Sequence, residues 1–284
     1  GGSFWNNIQL DLKNDFSIEA ELFFGNIDRD GSDGIAFVLQ TSPNPTSAVT
    51  QGGSIGYGNL SPSFAIEFDT YSNSSSSDPG DYTGSETHID HLAVQLNGNL
   101  DHANPGDVGS DALITPIDLV NIEDGQWHLF KFEWVADPDS DPNTTDGQLD
   151  VWFDANDNGV YDVAEHYIDA FSYDMISEVF SAENGIVYWG FTAATGAARN
   201  WQKVRNINPI IQVDFNYSSS SFCKNELNPL PTITGQSGGT FSSTAGLLFA
   251  DVSSNLGSST GEIDLVNSAA GTYTIRYEID PTCF

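Results

Sequence analysis

The chain has 284 residues, with 40 Asp plus Glu against 8 Lys plus Arg and a formal net charge of −32. So few cations exclude a nucleic-acid backbone or an anionic membrane surface as a partner, because both would be repelled. With 39 % hydrophobic residues, 6 Trp, 10 Tyr and 18 Phe, the chain has the apolar material for a packed core, which acidic disordered chains lack. No apolar run approaches the roughly 18 residues of a membrane span, and no charged-then-apolar leader opens the sequence. Gly1 already lies in a patterned segment, so the chain is expected to be part of a longer protein.

Strand-like alternation runs through Phe16 to Phe23, Phe64 to Phe68, Leu129 to Trp134 and Leu149 to Phe153. Period-two patterns rich in aromatic and β-branched residues, punctuated by Gly, Asn, Asp and Pro, predict half-buried strands. The stretch Ile168 to Phe180 is the one helix candidate. Many antiparallel strands of this kind pair into two sheets packed face to face, which predicts an all-β sandwich. Composition shifts near residue 211: residues 1–211 hold 33 acids and 6 bases, residues 212–284 only 7 and 2. The later segment, rich in Ser, Thr and Gly, is expected to form a second, smaller β-sandwich over 212–284, with strands such as Gly261 to Leu265 and Gly271 to Tyr277.

The densest chemistry in the first segment is Glu67-Phe68-Asp69-Thr70-Tyr71-Ser72-Asn73, followed by Asp78-Pro79. In an extended strand Glu67 and Asp69 project to one face, and Asn73 and Asp78 lie on the loop that leaves it. Carboxylates gathered at a strand end are costly without a neutralising cation. Carboxylate, amide and backbone-carbonyl oxygens suit Ca²⁺, and an added histidine suits a transition ion. The same residues also read as an ordinary polar exit from a strand.

Taken with Ser32 to Leu39, Gly52 to Tyr57, Asp124 to His128 and Gly190 to Gly196, in that order along the chain, this run resembles the L-type (legume-type) lectins over about residues 3–211. The resemblance implies a concanavalin A-like jelly-roll sandwich whose first strand would precede Gly1. It further implies a metal pair beneath a sugar pocket. Asp69 and Asp78 would bridge Ca²⁺ and a transition ion, Mn²⁺ in the plant members, while the Tyr71 carbonyl and Asn73 complete the calcium shell. Glu67 and a histidine would complete the other shell; His91 best matches the family's strand start, with His88 as the alternative. Above the metals, Asp33 would accept hydrogen bonds from sugar hydroxyls, after a cis Ser32–Asp33 peptide. Gly53 would donate its backbone N–H, Asn73 its amide, and Tyr71 would offer a ring face. Ala197, Ala198, Arg199 and Asn200 occupy the variable specificity loop.

A second carboxylate motif lies outside the lectin pattern. Asp154 to Glu165 matches the EF-hand calcium loop position for position. Its ligands would be Asp154, Asn156, Asn158, the Val160 carbonyl, Asp162 and a bidentate Glu165, with Gly159 at the sharp turn. The flanking helices of an EF-hand are missing, and a solvated hairpin turn is the alternative.

Cys223 and Cys283 bracket the second segment without a CxxC or a nearby histidine, which argues against a metal or catalytic thiol. A disulfide closing the segment, in an oxidising compartment, is one reading; two free thiols at equivalent positions of consecutive repeats is the other. Pro231 to Gly235, Gly238 to Ser243, Thr260 to Leu265 and Gly271 to Thr274 resemble the Ig-like repeats of large bacterial surface adhesins, which implies a spacer domain truncated here at its C-terminus. The function expected is a calcium-dependent glycan-binding module, holding two or more Ca²⁺ ions, on the outside of a bacterial cell and followed by further adhesin repeats. A glycoside hydrolase or lyase on the same sandwich is one alternative. However, a sandwich glycosidase places a second acid two or three residues after the aspartate, for the carboxyl pair its chemistry needs, and Tyr71 and Ser72 stand there. A purely structural adhesin segment is the other.

Overall fold

A computed structural model describes residues 1–28, 30–42, 50–73, 90–102, 113–137 and 146–279. The chain divides into two compact units, Gly1–Ile210 and Ile211–Phe284. In the first unit the strands are β1 (Gly2–Trp5), β2 (Leu10–Asp11), β3 (Phe16–Phe23), β4 (Gly34–Gln40), β5 (Ser63–Asp69), β6 (His91–Leu96), β7 (Ile117–Asp118), β8 (His128–Ala136), β9 (Gly147–Phe153), β10 (His166–Tyr173), β11 (Ile186–Ala194) and β12 (Lys203–Ile211). One sheet runs β1-β11-β4-β5-β6-β7, with β2 also on β11, and the other runs β10-β9-β8-β3-β12. The sandwich expected from the alternating segments is therefore present.

The two sheets meet through aromatic rings. Phe37 of β4 packs on Phe130 and Phe132 of β8, at centroid distances of 5.6 and 5.0 Å. Phe68 of β5 lies 4.5 Å from Phe153 of β9 and edge-on to Phe130. On β8 and β9 burial alternates along the strand, so their other face meets water. On β4 and β5 every residue is buried, because the face turned away from the second sheet is covered as well. Ile55, Tyr57 and Leu60 pack there against Ala36, Val38 and Ala65. Glu67 and Asp69 share that covered face with Ala65, by the period of the strand, and both are buried for that reason.

The segment expected as a possible helix divides differently. Ile168 to Tyr173 belongs to β10, and only the single turn α1 (Met175–Glu178) is helical. Ala170 has φ +51°, and the β10–β9 register shifts between Ile168 and Phe171, so an irregular edge strand accounts for the weak periodicity. No helix among the described residues is long and apolar enough to cross a membrane.

The second unit contains β13 (Phe215–Asn216), β14 (Thr232–Ile233), β15 (Thr240–Ser243), β16 (Leu256–Ser258) and β17 (Ile275–Glu278). β13 pairs with β14, and β15 lies between β16 and β17. Phe241, Leu247, Phe249, Ile263, Leu265 and Tyr277 form its core. Gly261 to Leu265 does not form the expected strand; Ile263 makes one isolated bridge to Phe249. Gly271 to Tyr277 is a strand only from Ile275 onward. Cys223 is exposed and makes no disulfide among the described residues; Cys283 lies outside them.

Candidate functional site

Asp33 sits immediately before β4, and the peptide joining it to Ser32 is cis. Its N–H donates to Ala194 O (2.9 Å), and its carbonyl accepts the N–H of Thr70 (2.9 Å), so the backbone is pinned from both neighbouring strands. The side chain is 3 % exposed, and Oδ2 has no hydrogen-bond partner. Burial pushes the carboxyl up to about 6, against a smaller downward pull from the Ser32 hydroxyl and the Gly196 amide. A buried acceptor left unmade costs free energy, so this oxygen calls for a donor.

Glycines bring the surrounding backbone close. A Cβ built on Gly196 would lie 3.4 Å from Asp33 Oδ2 and 3.3 Å from the Cα of Gly52. One on Gly53 would lie 2.7 Å from Asn73 Nδ2. Asp33, Gly53 and Asn73, far apart in sequence, are thus brought close together through Gly196 and Gly52. Tyr71 and Asn73 leave the end of β5 half-buried.

The metal ligands suggested by sequence divide into two groups here. Asp69 Oδ1 accepts the N–H of Tyr71 at 2.7 Å, and the Asn73 side chain donates to the Tyr71 carbonyl at 3.1 Å. These oxygen-bearing groups therefore meet at the strand end, and their chemistry fits calcium. At such a site the ion would fix the loop that presents Asn73. Glu67 lies one pleat deeper, where the Tyr57 hydroxyl donates to Oε2. His91 stands opposite Asp69 in the β5–β6 register. Asp78 and His88 lie outside the described residues.

Sequence reasoning missed a second histidine. His102, on the segment after β6, places Nε2 2.7 Å from Glu67 Oε1 and 3.3 Å from His91 Nε2. The family motif drew attention to histidines at the start of β6; His102 arrives only because the chain turns back after that strand.

In the loop that the resemblance marks as the specificity loop, Ala197 and Arg199 are exposed, and Ala198 and Asn200 are half-buried. Asn200 turns inward rather than toward solvent. Its Nδ2 donates to Glu123 Oε1 (2.7 Å) and to Ile27 O (3.1 Å), and its Oδ1 accepts the N–H of Asn26 (3.1 Å). Side chains at Gly25 or Gly31 would collide with this arrangement. Asn200 therefore anchors the loop. Glu123, which the sequence did not single out, is its partner.

Burial, with help from Asp90 and Asp28, pushes Glu123 up to about 8, while Asn200 and Thr70 pull it down. The folded state thus holds a proton that the unfolded chain releases near 4.5, and metal-free stability is expected to fall as pH rises from about 4.5 to about 8. Glu123→Gln keeps the carbonyl that accepts from Asn200. In chelator, urea unfolding of this variant across that range should show a shallower pH dependence than the wild type; an unchanged slope would mean that Glu123 carries no such proton.

The twelve-residue loop after β9 has the hydrogen-bond pattern of a closed calcium loop. Asp154 accepts from the N–H groups of Asn158 (3.1 Å) and Gly159 (2.8 Å), and Asn158 Oδ1 accepts from Val160 N–H (3.0 Å). Glu165 spans the loop, taking Asn156 N–H on one oxygen and Asp162 N–H on the other, each at 3.1 Å. The amides of Asn156 and Asn158 both reach Asp162 Oδ2. Gly159 has φ +80° at the turn where the motif requires glycine. Asp154 and Glu165 are buried, and an all-oxygen donor set around buried carboxylates fits a calcium ion.

A β-sandwich that brings a buried, partnerless carboxylate oxygen close to glycine backbone and to a carboxylate-rich strand end has the arrangement expected of a carbohydrate-binding lectin domain. Residues 1–208 match the family described as the legume lectin beta-barrel domain, and the chain belongs to the legume-type lectin family. Similar solved structures include the exoplasmic/lumenal domain of VIP36 in a Ca²⁺/Man2-bound form, at 18 % identity over 71 % of this chain and 68 % of that one, with TM-score 0.44. Winged bean acidic lectin complexed with methyl-α-D-galactose is 19 % identical over 72 % and 75 % of the two chains, with TM-score 0.44. The Bauhinia forficata lectin in complex with GalNAc is 16 % identical over 69 % and 71 %, with TM-score 0.41.

Proposed function

We propose that residues 1–211 form a calcium-dependent glycan-binding module of a bacterial surface adhesin. The observation that carries the binding reading is Asp33: a buried carboxylate oxygen with no partner, held on a doubly pinned backbone beside Gly53 and Asn73. Sugar hydroxyls are donors of the kind it lacks. Calcium at Asp69, the Tyr71 carbonyl, Asn73 and Asp78 would hold the loop that offers the Asn73 amide, and Tyr71 would present a ring face to the sugar. A further calcium in the loop Asp154–Glu165 would be structural. The module binds without turnover, since Tyr71 and Ser72 stand where a sandwich glycosidase needs its second acid.

Residues 212–284 are proposed as an Ig-like spacer repeat, closed by a Cys223–Cys283 disulfide and followed by more repeats. An extracellular location agrees with the −32 charge and with calcium sites, which millimolar external calcium would fill. Screening wild type and Gly53→Ala against a glycan panel in calcium tests the binding reading. A Cβ at Gly53 must displace the Asn73 amide, so glycans bound by the wild type should be lost by the variant while its circular dichroism stays that of the wild type. Equal binding by both proteins would place the sugar elsewhere.

A further inference from the structure

The ligand set that the family resemblance implies for the transition ion contains one histidine, and the structure brings in two. We propose that Glu67, His91 and His102 together form a three-ligand centre that selects an imidazole-preferring ion such as Zn²⁺ over Mn²⁺. This inference rests on the lectin metal reading and changes which ion the inner position takes.

Three observations carry it. First, one ligand atom from each residue lies within 4.8 Å of the other two, although the residues come from β5, β6 and the segment after β6. Second, the two Nε2 atoms face each other at 3.3 Å with their rings nearly perpendicular, at 87°. Ligand nitrogens at about 2.0–2.1 Å from a tetrahedral zinc ion are separated by about 3.3–3.4 Å. Third, the three groups are buried to 5 % exposure or less, and the second oxygen of Glu67 is held by the Tyr57 hydroxyl. Holding the free end of a metal-binding side chain in this way orients it and tunes its basicity. Ala36 and Ala93 flank Glu67 on the neighbouring strands, so no bulky neighbour in the sheet fills the space beside it.

The donor set decides the ion. Mn²⁺ stands low in the affinity order of divalent first-row metals and suits oxygen ligands, whereas paired imidazoles suit zinc and its neighbours. A buried hydrogen-bond network of the same residues, holding no metal, is the competing account.

The test uses the full chain in a His166→Gln background, because Asp150, His166 and Asp169 form the other cluster of potential metal ligands among the described residues. Stripped protein is dialysed against equal Zn²⁺ and Mn²⁺ with saturating Ca²⁺. Bound metal is then quantified, and zinc coordination is read by X-ray absorption. The expected result is one zinc in excess over manganese, with two imidazoles in its shell. His102→Gln retains a side chain that can hydrogen-bond to Glu67, and it should weaken zinc at least about ten-fold while leaving calcium-dependent glycan binding in place. Manganese outcompeting zinc, no metal retained, or a zinc shell unchanged in His102→Gln would each overturn the proposal. Zinc bound as expected in a protein that binds no glycan would instead defeat the lectin reading and leave this centre standing.

Discussion

Asp33→Ala is expected to lower glycan affinity about 100-fold or more without lowering the melting temperature. Hydrogen bonds to a charged partner contribute roughly 1.5–3 kcal/mol each, so two sugar hydroxyls on one carboxylate account for that loss at about 1.4 kcal/mol per factor of ten. The fold has little reason to suffer. The backbone of Asp33 is fixed by Ala194 and Thr70 through main-chain groups that alanine keeps, and its carboxyl is a burden in the absence of ligand. With its folded pKa raised from 3.8 to about 6, the folded state binds more protons than the unfolded chain across that interval, and stability declines as pH rises through it. Removing the carboxyl should therefore leave metal-free stability above about pH 6 equal or higher. Titration calorimetry with any glycan the wild type binds, paired with thermal melts, checks both halves. Native affinity in the variant would remove Asp33 from the site.

Glu165→Gln is expected to abolish one calcium site and leave sugar binding intact. Glu165 spans its loop with both oxygens, as a bidentate ligand at the twelfth position must, and a glutamine there has one acceptor and no charge. A ligand at 100 times its dissociation constant stabilises by about 2.7 kcal/mol. For a domain of this size each kcal/mol moves the midpoint by about 2–4 °C. The gap between melting temperatures in calcium and in EDTA should thus shrink by about 5–10 °C in the variant, with calorimetry counting one ion fewer. An unchanged calcium count would reduce the loop to a solvated turn.

Much of the fold was legible in the sequence. β3 was predicted to the residue, and the cores of β8 and β9 were found, because each strand has one wet face and one dry face and so alternates. Phe64 to Phe68 likewise lies within β5. β4 is buried throughout, and its lack of alternation reflects the cover provided by Ile55 and Tyr57, which no local pattern reports. β10 looked helical because a bulge at Ala170 disturbs its period. Gly261 to Leu265 has strand composition, yet only Ile263 finds a partner. The site shows the same division. Asp33, Gly53, Asp69 and Asn73 belong to short motifs whose order along the chain could be recognised, whereas His102 and the Glu123–Asn200 anchor depend on contacts between distant segments.

The central claim is that this domain grips sugar through a calcium-organised pocket. It is tested most directly by measuring glycan binding to the wild-type protein in millimolar calcium, after EDTA, and after calcium is restored. Binding that disappears in EDTA and returns with calcium is the result predicted. Binding of equal affinity in all three conditions would contradict it.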